Sequence, residues 1–190
     1  MTDLPELFVL RHGETAWNVE GRLQGHFDSP LTPRGVAQAQ AQRAILARVA
    51  PVQARVVSSP SPRARRTAGI ACDGHAITLD PRLMEIDLGA WTGKLVTEIV
   101  ADHPHLQGDG DPHLWKFTAP RGERLDDMTA RCQAVLDGLS GPTILFTHGL
   151  TSRVLRCLAL GNPPRTLSDL PGGQGVVHHI RDGQAQILTA

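Results

Sequence analysis

Two short apolar runs in this chain each deliver a histidine followed by a glycine. Leu7-Phe8-Val9-Leu10 leads into Arg11-His12-Gly13, and Thr143-Ile144-Leu145-Phe146-Thr147 leads into His148-Gly149. An apolar run with no polar alternation reads as a strand buried on both faces. Both histidines then stand where a parallel strand stops, the edge at which open α/β sheets bind ligands. Arg11 adds a planar fork of donors suited to phosphate or carboxylate, and a neutral imidazole offers a lone pair. Arg63 falls in the first turn of a helix announced by Ser61-Pro62, where free N–H groups already favour an anion. Glu85 and Asp87 stand two apart, on one side of an extended segment and opposite Met84, Ile86 and Leu88. A carboxylate beside a bound phosphate suits a general acid. Each residue also has a plain alternative: a strand end with a surface arginine, a solvated carboxylate, or a solvated helix face made by Arg63, Arg65 and Arg66. Arg63 and Arg66 share a face by their spacing, and Arg65 does not.

The elements that would position these groups follow from punctuation. Gly13 allows a sharp exit from the first strand. A polar loop from Thr15 to Pro30 precedes Thr32-Pro33, an N-cap with proline at the first helical position, and that helix presents Ala37, Ala41, Ala44 and Ile45 as its apolar face before ending at Pro51. Residues 55–59 and 76–79 read as strands, and Leu95 and Ile99 mark a short helix that stops at His103-Pro104. The segment from Gln107 to Gly122 is rich in Gly, Asp and Pro but holds Trp115 and Phe117, as an irregular stretch covering a site would. Leu125, Met128, Cys132, Val135, Leu136 and Leu139 keep a helical period, and a further helix follows His148 with Val154, Leu155 and Leu158 on one face. Residues 176–180 and 185–188 flank Asp182-Gly183, a hairpin signal.

Length and composition bound the answer. The 190 residues are 41% hydrophobic and suffice for one domain with its own core, taken as residues 1–190. Acidic and basic residues balance at 19 each, which leaves no electrostatic footprint for nucleic acid or an anionic membrane. Cys72, Cys132 and Cys157 are odd in number and form no CxxC pair, so neither a disulfide framework nor a thiolate metal site is expected. His103, His105 and His113 lack helical or hairpin spacing, and no metal is expected there. With only a brief apolar run and no basic leader at the N-terminus, a cytoplasmic location is expected.

Taken in order, Arg11-His12-Gly13-Glu14-Thr15 with Trp17-Asn18, Gln24-Gly25 with Asp28, Ser58-Ser59-Pro60 with Arg63-Ala64, Glu85 with Gly89, Trp91 and Gly93, Gly122-Glu123, and Thr147-His148-Gly149 resemble the motifs of the histidine phosphatase, or phosphoglycerate mutase-like, superfamily. The resemblance spans nearly the whole chain. It implies an α/β fold, a three-layer α/β/α sandwich with a mostly parallel central sheet. It also implies His12 as nucleophile, Arg11, Arg63 and His148 as the rest of the phosphate pocket, and Glu85 as proton donor. Asn18, Gln24, Gly25 and Gly149 become candidate substrate contacts, with no cofactor and no metal.

The chemistry fits those residue types, since phosphoryl transfer asks mainly for positioning and for positive charge around the equatorial oxygens. The expected partner is a small-molecule phosphate ester, such as a sugar phosphate or a cobalamin-precursor ribotide; the sequence leaves the oligomeric state open. Leu150 stands where many members have a second glycine, and Arg124 where many have serine. Mutases of the family carry a longer insertion than the interval Ile86 to Gly122, so a metal-independent phosphomonoesterase working through a phosphohistidine is the leading expectation. Phosphoglycerate mutase is the alternative, and a non-catalytic phosphate-binding regulatory module is the second alternative.

Overall fold

A computed structural model describes residues 4–107 and 111–190. Six strands make one sheet: β1 (Leu7–Arg11), β2 (Arg55–Ser58), β3 (Ile77–Leu79), β4 (Thr143–Thr147), β5 (Val177–Arg181) and β6 (Gln184–Leu188), in the order β3-β2-β4-β1-β5-β6. The first four pair in parallel, and β5 and β6 add an antiparallel edge. The helices are α1 (Ala16–Glu20), α2 (Pro33–Val49), α3 (Pro62–Ala71), α4 (Val96–Asp102), α5 (Leu125–Asp137) and α6 (Gly149–Ala159).

Strand alternation assigns the two faces. Leu7 and Val9 of β1 pack with Met128, Cys132, Val154 and Leu155 of α5 and α6. Phe8 and Leu10 point the other way, into a cluster with Ile45 and Leu46 of α2 and Ala68 and Ala71 of α3. The result is the expected α/β/α sandwich, and every apolar residue of β1 is fully buried. β1 and β4 are neighbours, in register Arg11 to Thr147, and the ladder runs one step further as His12 N–H donates to the Thr147 carbonyl at 3.0 Å. The chain leaves β1 toward α2 on one face and leaves β4 toward α6 on the other. The two histidine motifs therefore flank the point where the winding reverses, and a crevice opens there.

Several local expectations are corrected. α2 buries Gly35, Ala39, Gln42, Ile45 and Leu46, whereas Ala37 and Ala44 are exposed. Its Ala/Gln repeat carries little apolar contrast, and specific contacts set the face instead: Gln42 Nε2 donates to the Arg11 and Val176 carbonyls. Gly13 is required for close approach rather than for its turn, since a Cβ there would lie 2.2 Å from the Gly35 carbonyl oxygen. The hairpin is as read: Asp182 and Gly183 both take positive φ, 52° and 71°, as a type I′ turn demands.

Candidate active site

His12 occupies the first position past β1 and is almost fully buried. Its Nδ1 lies 2.8 Å from the Gly13 carbonyl, an acceptor only, so Nδ1 carries the proton and Nε2 keeps the lone pair. Arg63 Nε donates to that Nε2 at 3.3 Å. Burial comes first among the causes that hold His12 well below the usual histidine pKa, followed by the charges of His148, Arg11 and Arg63. The ring is therefore neutral at pH 7, with its lone pair turned to the arginine.

Arg63 is 2% exposed, and the loop after α1 fixes it: its guanidinium donates to the Gly25 carbonyl at 2.9 Å, the Phe27 carbonyl at 2.8 Å and Asp28 Oδ1 at 3.1 Å. Arg66, on the same face by spacing, is exposed and takes no part. Arg11 lines the crevice with its Nε buried and without a hydrogen-bond partner among the described residues. His148 lies behind the wall, fully buried, its ring centred 5.2 Å from that of His12 in an edge-on arrangement. Ser59 Oγ meets His148 Nε2 at 2.8 Å, while His148 Nδ1 is buried without a partner among the described residues. Burial, then Arg63 and Arg11, hold His148 well below its usual pKa as well.

Glu85 reaches the start of α6. Its Oε1 accepts from the N–H groups of Ile86 and Thr151 at 3.2 Å each and from the Thr151 hydroxyl at 3.1 Å, and its Oε2 accepts from Leu150 N–H at 3.2 Å. Burial alone would raise the Glu85 pKa, but these donors, with Arg11, outweigh it and bring it below the usual carboxylate range. Asp87 does not share the site. It is absent from the crevice lining: the chain turns at Leu88 (φ -93°, ψ 7°), and Asp87 Oδ1 accepts from Gly89 N–H at 2.9 Å to start the turn at Gly89–Trp91.

The structure thus brings Arg11, His12, Arg63 and Glu85 to one crevice, together with Asn18, Gln24, Gly25 and Gly149. Asn18 Oδ1 accepts from Thr15 N–H and Gln174 Nε2, so its amide NH2 is the group it has left to offer the cavity it lines. The Gln24 side chain is spent on Thr15 and Ser29, and the Gly25 carbonyl on Arg63, so these two shape the wall rather than offer free side-chain donors. A Cβ on Gly149 would stand 3.6 Å from both Arg11 Cζ and Glu85 Oε2, in the space between acid and cation. Sequence reasoning missed Thr151, Lys116, Arg153 and Arg22, the last three of which line the same cavity. Lys116 is one of only two lysines in an arginine-rich chain, a signal that was there to use. The cavity measures about 160 Å³, below the roughly 300–1,000 Å³ of sites for drug-sized ligands.

No group of three or more His, Cys, Asp or Glu residues that could hold a metal occurs among the described residues. His103 packs on Trp91 and His105 on His103, while His113 stands in the cavity wall. No helix among the described residues is long and apolar enough to cross a membrane.

A doubly wound α/β sheet thus gathers two histidines and two arginines at its switch point, an arrangement suited to holding an anion. The profile of the histidine phosphatase superfamily (branch 1) matches residues 7–187, and the chain belongs to that family. Among its relatives, a probable phosphoglycerate mutase GpmB of Enterobacter sp. (strain 638) is 35% identical over 170 residues, 83% of this chain and 76% of that protein. Among solved structures, TTHB049 from Thermus thermophilus is 34% identical with a TM-score of 0.69, covering 97% of each chain. A mycobacterial glucosyl-3-phosphoglycerate phosphatase, Rv2419c, solved with VO3, is 28% identical with a TM-score of 0.78, covering 98% of this chain and 97% of that one.

Proposed function

We propose that the protein is a metal-independent phosphomonoesterase of small phosphorylated metabolites, acting through a phosphohistidine on His12. The observation that carries this reading is the His12 tautomer: Nδ1–H is tied to the Gly13 carbonyl, and the Nε2 lone pair faces Arg63 inside an arginine-lined crevice. A residue that only bound phosphate would serve better as a donor than as a buried lone pair.

In the first step His12 Nε2 bonds to phosphorus, the bond from phosphorus to the ester oxygen breaks, and Glu85 gives that oxygen a proton. In the second, Glu85 takes a proton from water as the water oxygen bonds to phosphorus and the bond to Nε2 breaks, returning neutral His12. Arg11 Nε and His148 Nδ1, the two buried polar atoms near His12 without partners among the described residues, are suited to the equatorial oxygens once His148 presents a proton there. Glu85 is ionised in the free protein, so its proton arrives with the ester as the phosphate monoanion, whose second pKa is about 6.

A mutase reading is favoured by the name of the curated relatives. Incubation with 3-phosphoglycerate and a panel of sugar and alcohol phosphates separates the two. Release of inorganic phosphate is expected; formation of 2-phosphoglycerate with phosphate retained would establish the mutase.

A further inference from the structure

The last part of the chain reaches back to the nucleophile through a side chain the reaction scheme does not use. Gln174, half-buried in the loop before β5, donates from Nε2 to the His12 carbonyl at 3.2 Å and to Asn18 Oδ1 at 3.1 Å. It does not line the cavity, so it can act on a ligand only through those two groups. The hydrogen-bond pattern leaves its amide one orientation. Thr15 N–H can only donate, so the Asn18 atom it meets at 3.2 Å is the oxygen. That oxygen and the His12 carbonyl can only accept, so Gln174 must present its NH2 group to both. The two protons of one nitrogen are thus spent on two separate parts of the site, the end of β1 and the helix α1.

Both parts depend on that grip. Gly13 N–H donates to Thr67 Oγ1 at 3.0 Å, so the peptide between His12 and Gly13 is held at its N–H by α3 and at its C=O by Gln174. The next carbonyl, that of Gly13, is the acceptor that orients the His12 ring. A tilt of the first peptide moves this acceptor and the imidazole with it. At Asn18, Gln174 and Thr15 N–H together hold the oxygen and leave the NH2 group for the cavity. The loop that carries Gln174 is itself tied to the same strand end, because Gln42 Nε2 joins the Arg11 and Val176 carbonyls at 3.0 and 3.1 Å. Gly175, at φ 79°, brings the loop so close to α2 that a Cβ would lie 3.0 Å from Gln38 Cγ, and Gln38 Oε1 in turn accepts from Glu14 N–H at 2.8 Å.

Resting on the phosphohistidine reading, we infer that Gln174 is a positioning residue for phosphoryl transfer: its NH2 group bridges the His12 carbonyl and Asn18 Oδ1 and so fixes the nucleophile relative to the Asn18 amide that faces the phosphoryl group. In-line attack needs the reacting atoms about 3–3.5 Å apart and aligned, so a small shift of either group is costly.

The test is single-turnover release of nitrophenol from p-nitrophenyl phosphate with the protein in saturating excess, which reads the rate constant of His12 phosphorylation. A rate constant, unlike an amplitude, does not depend on what fraction of a variant folds. Gln174→Met keeps the length of the side chain and removes both donors, and it should lower the rate constant by on the order of 10–100-fold, the cost of a misplacement of about 1 Å. Gln174→Glu sets an oxygen against two acceptors and should lose more. Gln174→Lys keeps N–H donors on a flexible stem and should restore most of the rate. In an Asn18→Ala background the loss from Gln174→Met should shrink by on the order of threefold or more, since one of its two partners is gone. A wild-type rate in Gln174→Met, equal losses in all three Gln174 variants, or the same loss with and without Asn18 overturns the positioning role alone. Wild-type turnover with no phosphate label on His12 overturns the phosphohistidine reading beneath it.

Discussion

Replacing Glu85 by glutamine removes a transferable proton and disturbs little else, and the hydrogen-bond pattern says how little. With its carbonyl at the Oε1 position, the new amide keeps the Ile86 N–H, the Thr151 N–H and the Thr151 hydroxyl, and only Leu150 N–H faces an NH2 group. One donor left without an acceptor costs about 1–3 kcal/mol of stability. The catalytic loss is of another kind. General acid catalysis contributes about 10²–10⁴ in rate, or roughly 2.7–5.4 kcal/mol of barrier, when the leaving oxygen is an alkoxide. A p-nitrophenolate hardly needs the proton, so the first step with p-nitrophenyl phosphate should be nearly spared. Dephosphorylation of His12 then becomes slow, because the same carboxylate activates water, and stopped-flow absorbance should show a burst of nitrophenol. Losses of equal size for alkyl and aryl esters, with no burst, would refute the reasoning and leave Glu85 as a brace for the start of α6.

Three further outcomes follow from the same site. Because free Glu85 is ionised and free His12 neutral, kcat/KM for an alkyl phosphate should fall about tenfold per pH unit above the ester's second pKa near 6; a rise through pH 6–8 would mean that a histidine must first lose a proton. His12, His148 and His178 are buried, with pKa values depressed below 6.5, that of His178 to about 3 chiefly by burial. Below pH 6.5 the unfolded chain protonates them while the folded one does not, so stability should drop as pH falls from 7 to 5, by up to about 1.4 kcal/mol per group per pH unit; calorimetry showing a flat or rising Tm over that range would contradict the burial argument. EDTA should leave turnover unchanged and vanadate should inhibit strongly as a mimic of the transition state, whereas activity lost to chelation and restored by a divalent cation would exclude the metal-free scheme.

The parts of the fold most legible in the sequence were those with one dominant cause. β1 and β4 are apolar without interruption because both faces are covered, and the breaks at Arg11-His12 and Thr147-His148 mark the sheet edge. Thr32-Pro33 and Asp182-Gly183 punctuate sharply, and both α2 and the hairpin begin or turn where they stand. The buried face of α2 was not legible, because alanine on every side gives no contrast and the deciding contacts, Gln42 to Arg11 and Gly35 to Glu14, join distant parts of the chain. The same holds at the site. Arg11, His12, Arg63 and Glu85 announce themselves by type and neighbours, yet Thr151 and Arg153 look like ordinary helix residues until α6 is docked beside Glu85. Asp87 was the converse case: its spacing from Glu85 suggested a shared face, and a local turn at Gly89 claimed it instead.

The central claim is a covalent bond between phosphorus and Nε2 of His12, and trapping that bond tests it most directly. The protein is mixed with a phosphate-labelled ester, quenched in alkali within the burst phase, digested and mapped. An acid-labile, alkali-stable label on the peptide bearing His12, with the phosphorus resonance of an Nε2-phosphohistidine and absent in His12→Ala of unchanged fold, is the expected result. A label on another residue, a label at Nδ1, or full turnover by His12→Ala would contradict the account.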